Sequence, residues 1–139
     1  MGFAVFLGTA GGAAAQNFPT KPVRMIVGFP PGGAVDIVAR TIAAPMGEIL
    51  GQQVVVDTRS GANGSIGAEL VAKAPPDGQT IGLVSISSMV LNVHLYPNLP
   101  YHTLRDFTPI SNVGLLPFVI AVHPAVPARS LKALIALAK

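Results

Sequence analysis

The sequence predicts an α/β protein built on a parallel sheet, and three observations carry that prediction. Short β-branched runs alternate with segments of helical spacing between residues 23 and 86. The first two strand-to-helix turns are rich in Gly, as tight connections require. The order strand, helix, strand, helix, strand becomes a set of parallel strands when the crossovers are right-handed. Such sheets bind ligands beyond the carboxyl ends of their strands. The loops that follow the three strands are therefore the places to look for function.

Residues 23–29 (VRMIVGF) form a β-branched, apolar run and are expected to be a buried strand. Residues 36–50 carry Val38, Ala39, Ile42, Met46 and Ile49, with Val35 just before, at helical spacing on one face. Pro45 should kink or break that helix, and Gly51 suits its C-terminal cap. Residues 53–57 (QVVVD) are a second strand, and residues 59–64 a Gly-rich turn. Residues 65–74 make a second helix with Ile66, Leu70 and Val71 facing inward. Pro75-Pro76-Asp77-Gly78 is a turn, and residues 80–86 (TIGLVSI) are the third strand. A long passage containing Pro spans residues 87–105. Residues 107–113 and 118–122 read as two more strands. Ser130 is placed to cap a last helix over residues 131–139.

Composition narrows the function. The 139 residues suit one ordinary domain, and half of them are hydrophobic while 11% are charged. That is too apolar for a disordered chain and too interrupted by Gly and Pro for a coiled coil. The nine Lys and Arg outnumber the six Asp and Glu but form no run or stripe, which argues against nucleic acid. A mild positive balance favours an anionic small molecule. The absence of Cys excludes disulfides, thiolate catalysis and Cys-based zinc sites. Residues 3–10 are an apolar run, and Ala13 and Ala15 follow as a small-x-small cleavage site. Residues 1–15 are thus expected to be a secretory signal cleaved after Ala15, atypical because no Lys or Arg precedes the run. The run is too short to cross a bilayer, which takes roughly 20 apolar residues.

The first loop is Gly28-Phe29-Pro30-Pro31-Gly32-Gly33-Ala34-Val35-Asp36. Two Pro fix the approach, two Gly free the backbone, and a helix starts at once. Main-chain N–H groups at a helix N-terminus, helped by its dipole, make an anion site for a carboxylate or phosphate. A plain strand-to-helix turn explains the same residues. The loop lacks the Gly-Lys-Ser/Thr ending of a Walker loop. Gly33 is the expected point of close approach, where the backbone would adopt angles that favour Gly. Asp36 could cap the helix or accept from a ligand. Capping is preferred, since a carboxylate at an anion site repels the anion.

The second loop, residues 59–67, spaces its glycines G-x-x-G-x-x-G, which is not the dinucleotide fingerprint. Asn63 and Ser65 could contact ligand or simply shape the turn. Arg59 could attract an anion or sit solvated. The third strand ends in Ser85-Ile86-Ser87-Ser88-Met89, whose hydroxyls are neutral donors suited to a carboxylate. No nucleophile elbow, cofactor loop or metal spacing appears, so no catalytic residue, metal or cofactor is assigned. His94, His102 and His123 read as surface or packing residues, and the four-residue gap between His102 and Asp106 does not make a pair.

Several segments in order resemble one family. NFPTKPVR (17–24) is similar to the mature N-terminus of the receptors of tripartite tricarboxylate transporters, the Bug-like family. VGFPPGGAVDIVAR (27–40) resembles their first ligand loop, FPxGGxxD, and the helix after it. LGQQVVVDTRSGANGSIGAELVAKAPPDGQTIGL, LNVHLYPNLPYHTLRDFTPIS and HPAVPARSLKALIALAK each resemble a further family passage. The match runs from Asn17 to Lys139. It departs at Asp57, Thr58 and Ser60, where the family usually has Glu, Asn and Pro.

The resemblance implies a periplasmic, exported, non-enzymatic receptor with two α/β lobes of the type II-like Venus-flytrap kind. Such a receptor closes on a small carboxylate and delivers it to a two-subunit membrane permease. It also implies that this chain is the N-terminal part of a longer receptor, monomeric when full length. Residues 16–113 would be the first lobe, incomplete without a C-terminal return, and residues 114–139 the crossover into the second. Pro31, Gly32, Gly33, Ala34 and Asp36 would hold a ligand carboxylate, with Asn63, Ser87 and Ser88 adding donors. Two alternatives stand beside this reading: a non-functional remnant of such a receptor, and an α/β enzyme acting on a phosphate or acyl substrate.

Overall fold

The computed structural model describes residues 18–117 and 119–138. The expected signal segment, its cleavage point and Phe118 lie outside the described residues. The chain divides into two units between Thr108 and Pro109.

The first unit is a three-stranded parallel sheet in the order β2-β1-β3, with β1 Val23–Val27, β2 Val54–Thr58 and β3 Thr80–Leu83. Val23 pairs with Val54 and Arg24 with Thr80, so β1 is the central strand. Helices α1 (Ala34–Leu50) and α2 (Ser65–Ala72) make the crossovers. Moving from β1 to β2 and then back past β1 to β3 places two right-handed crossovers on opposite faces. The core reflects this. Val23, Met25 and Val27 of β1 point to one face and pack with Ala39 and Ala43 of α1 and with Val54. Ile26 alternates to the other face and is equally buried. The small Ala39 and Ala43 let α1 lie close to the strand, with Val35, Ile42, Met46 and Leu50 flanking. Each such aliphatic side chain taken fully from water contributes about 1.5–3 kcal/mol.

The helix is shaped partly as expected. Gly51 ends it in the left-handed conformation (φ 67°). Pro45, expected to kink or break the helix, lies within one continuous run to Leu50. Ile49, expected on the inward face, is 86% exposed, and Leu50 takes its place against the core.

The third strand is shorter than expected. It stops at Leu83. Ser87–Leu91 then winds as a π-helical turn leading into α3 (Asn92–Leu95), inside the passage expected to be irregular. Ile86, Met89, Val90 and Val93 do fall at helical spacing there, a signal overlooked in a passage read as irregular for its serines and prolines.

Two expectations for the chain beyond Asp106 are corrected. Residues 107–113 are irregular, and no strand occurs among the described residues of 118–122. Both runs have strand-like composition. A strand needs a hydrogen-bonded neighbour, however, and none pairs with them among the described residues. Ile110 and Val119 are accordingly 80% and 87% exposed. The last helix is confirmed as α4 (Leu131–Leu137), with Ser130 Oγ accepting from the Ala133 N–H at 3.1 Å. Among the described residues, no helix is long and apolar enough to cross a membrane.

The contact between β1 and α2 yields a prediction. A Cβ on Gly67 would lie 2.6 Å from Gly28 Cα, whereas one on Gly32 would meet nothing within 4 Å. Gly67→Ala should therefore cost about 1–3 kcal/mol by overpacking. Gly32→Ala should cost only the left-handed strain, roughly 1–2 kcal/mol. Urea unfolding of both variants measures the two costs. A Gly67→Ala variant as stable as the unchanged chain would contradict the packing.

Candidate functional site

Because the three strands are parallel, their carboxyl ends open on the same side, and the three following loops meet there. Gly64 is the meeting point. A Cβ at Gly64 would lie 2.9 Å from the Phe29 ring of the first loop and 3.2 Å from Ser88 Cβ of the third. A Cβ at Gly28 would lie 2.7 Å from the Gly64 carbonyl oxygen. The loops approach closely because this position has no side chain.

The first loop is held by Asp36, which is 2% exposed. Its Oδ2 accepts from the Gly32 N–H and from Arg40 Nε, both at 2.9 Å. Asp36 lies in the first turn of α1 and reaches back over the N-cap to the loop, so it ties the loop and does not form the expected cap of the helix. Arg40 and the Gly32 N–H hold its carboxyl below the usual carboxylate range. Its second oxygen, Oδ1, is buried with no partner among the described residues.

The positive-φ residue of this loop is Gly32, at 78°. Gly33 sits in ordinary extended backbone (φ −73°, ψ 164°), so the backbone requirement expected at Gly33 belongs to its neighbour. The loop's donors are also redistributed. Pro31 has no N–H. The Gly32 N–H goes to Asp36, and the Gly33 N–H to the Pro30 carbonyl at 3.2 Å. The first intrahelical bond is Ile37 N–H to the Gly33 carbonyl. The N–H groups of Ala34, Val35 and Asp36 have no side-chain acceptor among the described residues, and they form the open end of the helix dipole.

In the second loop, Ala62 and Asn63 both take positive φ (45° and 52°). Asn92 of α3, completely buried, accepts from Asn63 Nδ2 at 2.8 Å. Its own Nδ2 lies 3.3 Å from the Ala62 carbonyl, 3.1 Å from the Asn63 carbonyl and 2.7 Å from Ser65 Oγ. The Tyr101 hydroxyl donates to the Ser88 carbonyl and lies 3.4 Å from Ser65 Oγ. Asn92 and Tyr101 went unnoticed in the sequence. Their partners lie 13 to 36 residues away, beyond any local pattern.

Ser88 is 1% exposed, and its hydroxyl donates to the Ser85 carbonyl. It supports the site from beneath. Ser87 is half-buried, and Asn63 is exposed with one side-chain N–H already engaged. Arg59 pairs with Asp57 (Nε to Oδ1, 2.9 Å), which also accepts from Arg24. Arg24, aided by Arg59, lowers the Asp57 pKa. Asp106 accepts from the His102 main-chain N–H at 2.8 Å, closing a turn without engaging the imidazole. No group of three His, Asp or Glu able to hold a metal ion occurs among the described residues.

Asp36 gives a pH prediction. Its folded pKa is depressed, so its contribution to stability is present above the unfolded carboxyl pKa of about 3.9 and is lost as pH falls through the folded value. Asp36→Asn should lower stability near neutral pH and flatten the acid limb below about pH 4. Urea midpoints from about pH 6 to about pH 3 test this. Parallel profiles for the two proteins would show that Asp36 gains nothing from Arg40 and Gly32.

Comparison with known proteins identifies the family. The model of the tripartite tricarboxylate transporter family receptors matches residues 38–139. Protein BugT of Bordetella pertussis is 44% identical over 97% of this chain. A protein encoded between tcbD and tcbE in Pseudomonas sp. strain P51 is 50% identical over 76% of it. The chain spans 43% and 31% of those relatives' lengths. A solved periplasmic transporter superposes with a TM-score of 0.70 at 40% identity, covering 86% of this chain and 40% of its own. MatC of Rhodopseudomonas palustris, solved with bound malate, gives 0.63 at 41% identity over 66% of this chain and 31% of its own. An R. palustris protein solved with adipate gives 0.67 at 37% identity over 87% of this chain and 40% of its own. With the parallel sheet of a periplasmic-binding-protein lobe and this family match, the chain belongs to the receptors of the tripartite tricarboxylate transporter family.

Proposed function

We propose that this chain supplies one wall of a cleft that binds a small carboxylate in the periplasm, for delivery to a two-subunit membrane permease. The reading is binding, with no chemistry on the ligand. The observation that carries it is the open N-terminus of α1, with Ala34 and Val35 in its first turn and no side-chain cap. Two convergent N–H donors at a positive helix end suit the two oxygens of a carboxylate. Malate and adipate in the two solved R. palustris relatives support the ligand class. The notch at Gly64 brings the second loop against Phe29 of the first, which supports a share for its neighbour Asn63, and half-buried Ser87 is the third loop's available hydroxyl.

The family and the signal expected over residues 1–15 support export to the periplasm. The second wall would come from the length that the relatives have beyond this chain. Full-length protein is expected as a monomer.

Two experiments test the reading. Calorimetry with malate and adipate should give a dissociation constant of about 1–100 μM for the chain extended by the remaining sequence of its Bordetella relative. The 139-residue chain alone should bind at least about a hundredfold more weakly, because an open wall leaves its contacts screened by water. Micromolar binding by the chain alone would show that one wall suffices. The second experiment is Ala34→Pro in the extended protein. Pro is tolerated at the first helical position, and Gly33 before it is already extended, so the fold should be unchanged. Only the N–H is lost, at about 1.5–3 kcal/mol for a charged acceptor, or tenfold to over a hundredfold in affinity. Unchanged affinity would remove the helix terminus from the site.

A further inference from the structure

We infer that Asn92, which lies on no ligand-facing loop, is the positioning residue that sets the second loop for binding. The inference rests on the receptor reading for its ligand but not for its geometry. Asn92 is fully buried, yet it is polar and has neighbours on all sides of its amide. One end of the amide faces the Ala62 and Asn63 carbonyls and Ser65 Oγ. Two carbonyls can only accept, so this end must be the NH2 group. The other end is then the oxygen, and the Asn63 atom 2.8 Å from it must be the donor Nδ2. The network therefore fixes both amides without ambiguity.

The consequence reaches the loop surface. Ala62 and Asn63 both hold left-handed backbone angles, which cost Ala more than Gly or Asn. Asn92 bonds the carbonyls of both strained residues, so it selects this conformation over relaxed ones. It also takes one of the two Asn63 side-chain N–H groups. The remaining N–H and the side-chain oxygen Oδ1 of Asn63 stay on an exposed residue, in an orientation Asn92 has set. A free N–H beside a carbonyl oxygen matches a carboxylate accompanied by a hydroxyl or an ordered water. Asn92 thus acts on the ligand only through Asn63.

A purely structural role for Asn92 predicts uniform loosening, whereas a positioning role predicts a local one. Amide hydrogen exchange on the ligand-free chain separates them. In Asn92→Leu, amides of residues 61–66 should exchange at least about tenfold faster while those of β1 stay unchanged. Asn92→Ser, which withdraws the polar group from both carbonyls, should give the same pattern if the Leu variant does not fold. Equal acceleration in β1, or none in the loop, overturns the inference. The second arm is a double-mutant cycle in the extended protein with malate and adipate. Asn63→Gly tolerates the left-handed backbone and removes only the side chain. It and Asn92→Leu should each weaken binding about tenfold, and the double variant no more than about tenfold in all. Losses that multiply overturn the inference. Failure of the unmutated protein to bind either acid would sink the receptor reading, and the exchange result would still decide the role of Asn92.

Discussion

The approach of Gly28 to Gly64 and Gly67 is the contact on which the rest of this unit depends. Main chain meets main chain there, at distances no side chain could share. It brings α2 down onto the central strand at the point where β1 ends and its loop begins. If that approach were a residue wider, the first and second loops would part, and Phe29 would lose the notch at Gly64. Ser88 reaches the same notch from β3, so three strand exits converge on one glycine. Apolar packing alone would leave such a junction free to slide. Asn92 and Tyr101 supply directional bonds across it, and directional bonds specify one arrangement where packing permits several.

The sheet and its crossovers were legible because they are local. Alternating β-branched runs and helical spacing report themselves within ten or fifteen residues, and β1, β2, α1 and α2 appear within a few residues of their expected bounds. The family's segments were legible for the same reason. Pairing was not. Residues 107–113 have the composition of a strand, but composition does not supply a neighbour, and they remain irregular. The site was half legible. The Pro-Gly-Gly loop and its helix announced an anion site. Which donors remain open depended on where Asp36 turned and on what Gly33 bonded, and neither follows from residue type. Asn92 lay within a family-like passage, but its bonding role could not be read there, since its partners are 27 to 30 residues distant.

Asp36 resolves the objection that a carboxylate beside an anion site should repel the anion. Its charge lies in the first turn, where it stabilises the helix dipole. Arg40, one turn further on, pairs with it and offsets its field toward the loop. The Gly32 N–H shares the same oxygen. The helix terminus thereby keeps its positive character while the loop gains a rigid tie. Asp57 repeats the pattern at the end of β2, where two arginines flank one acid and the local balance stays positive.

The donor inventory then discriminates between anions. A phosphate binds best in a nest of several consecutive N–H groups with a Lys or Arg at hand. Here Pro31 offers no N–H, and those of Gly32 and Gly33 are already engaged. Arg40 is turned to Asp36, and Arg59 to Asp57. What is left is one helical turn of donors and an exposed amide at Asn63. On the carboxylate reading those donors serve two oxygens and a single charge, whereas the second charge of a phosphate would find Arg40 and Arg59 already paired.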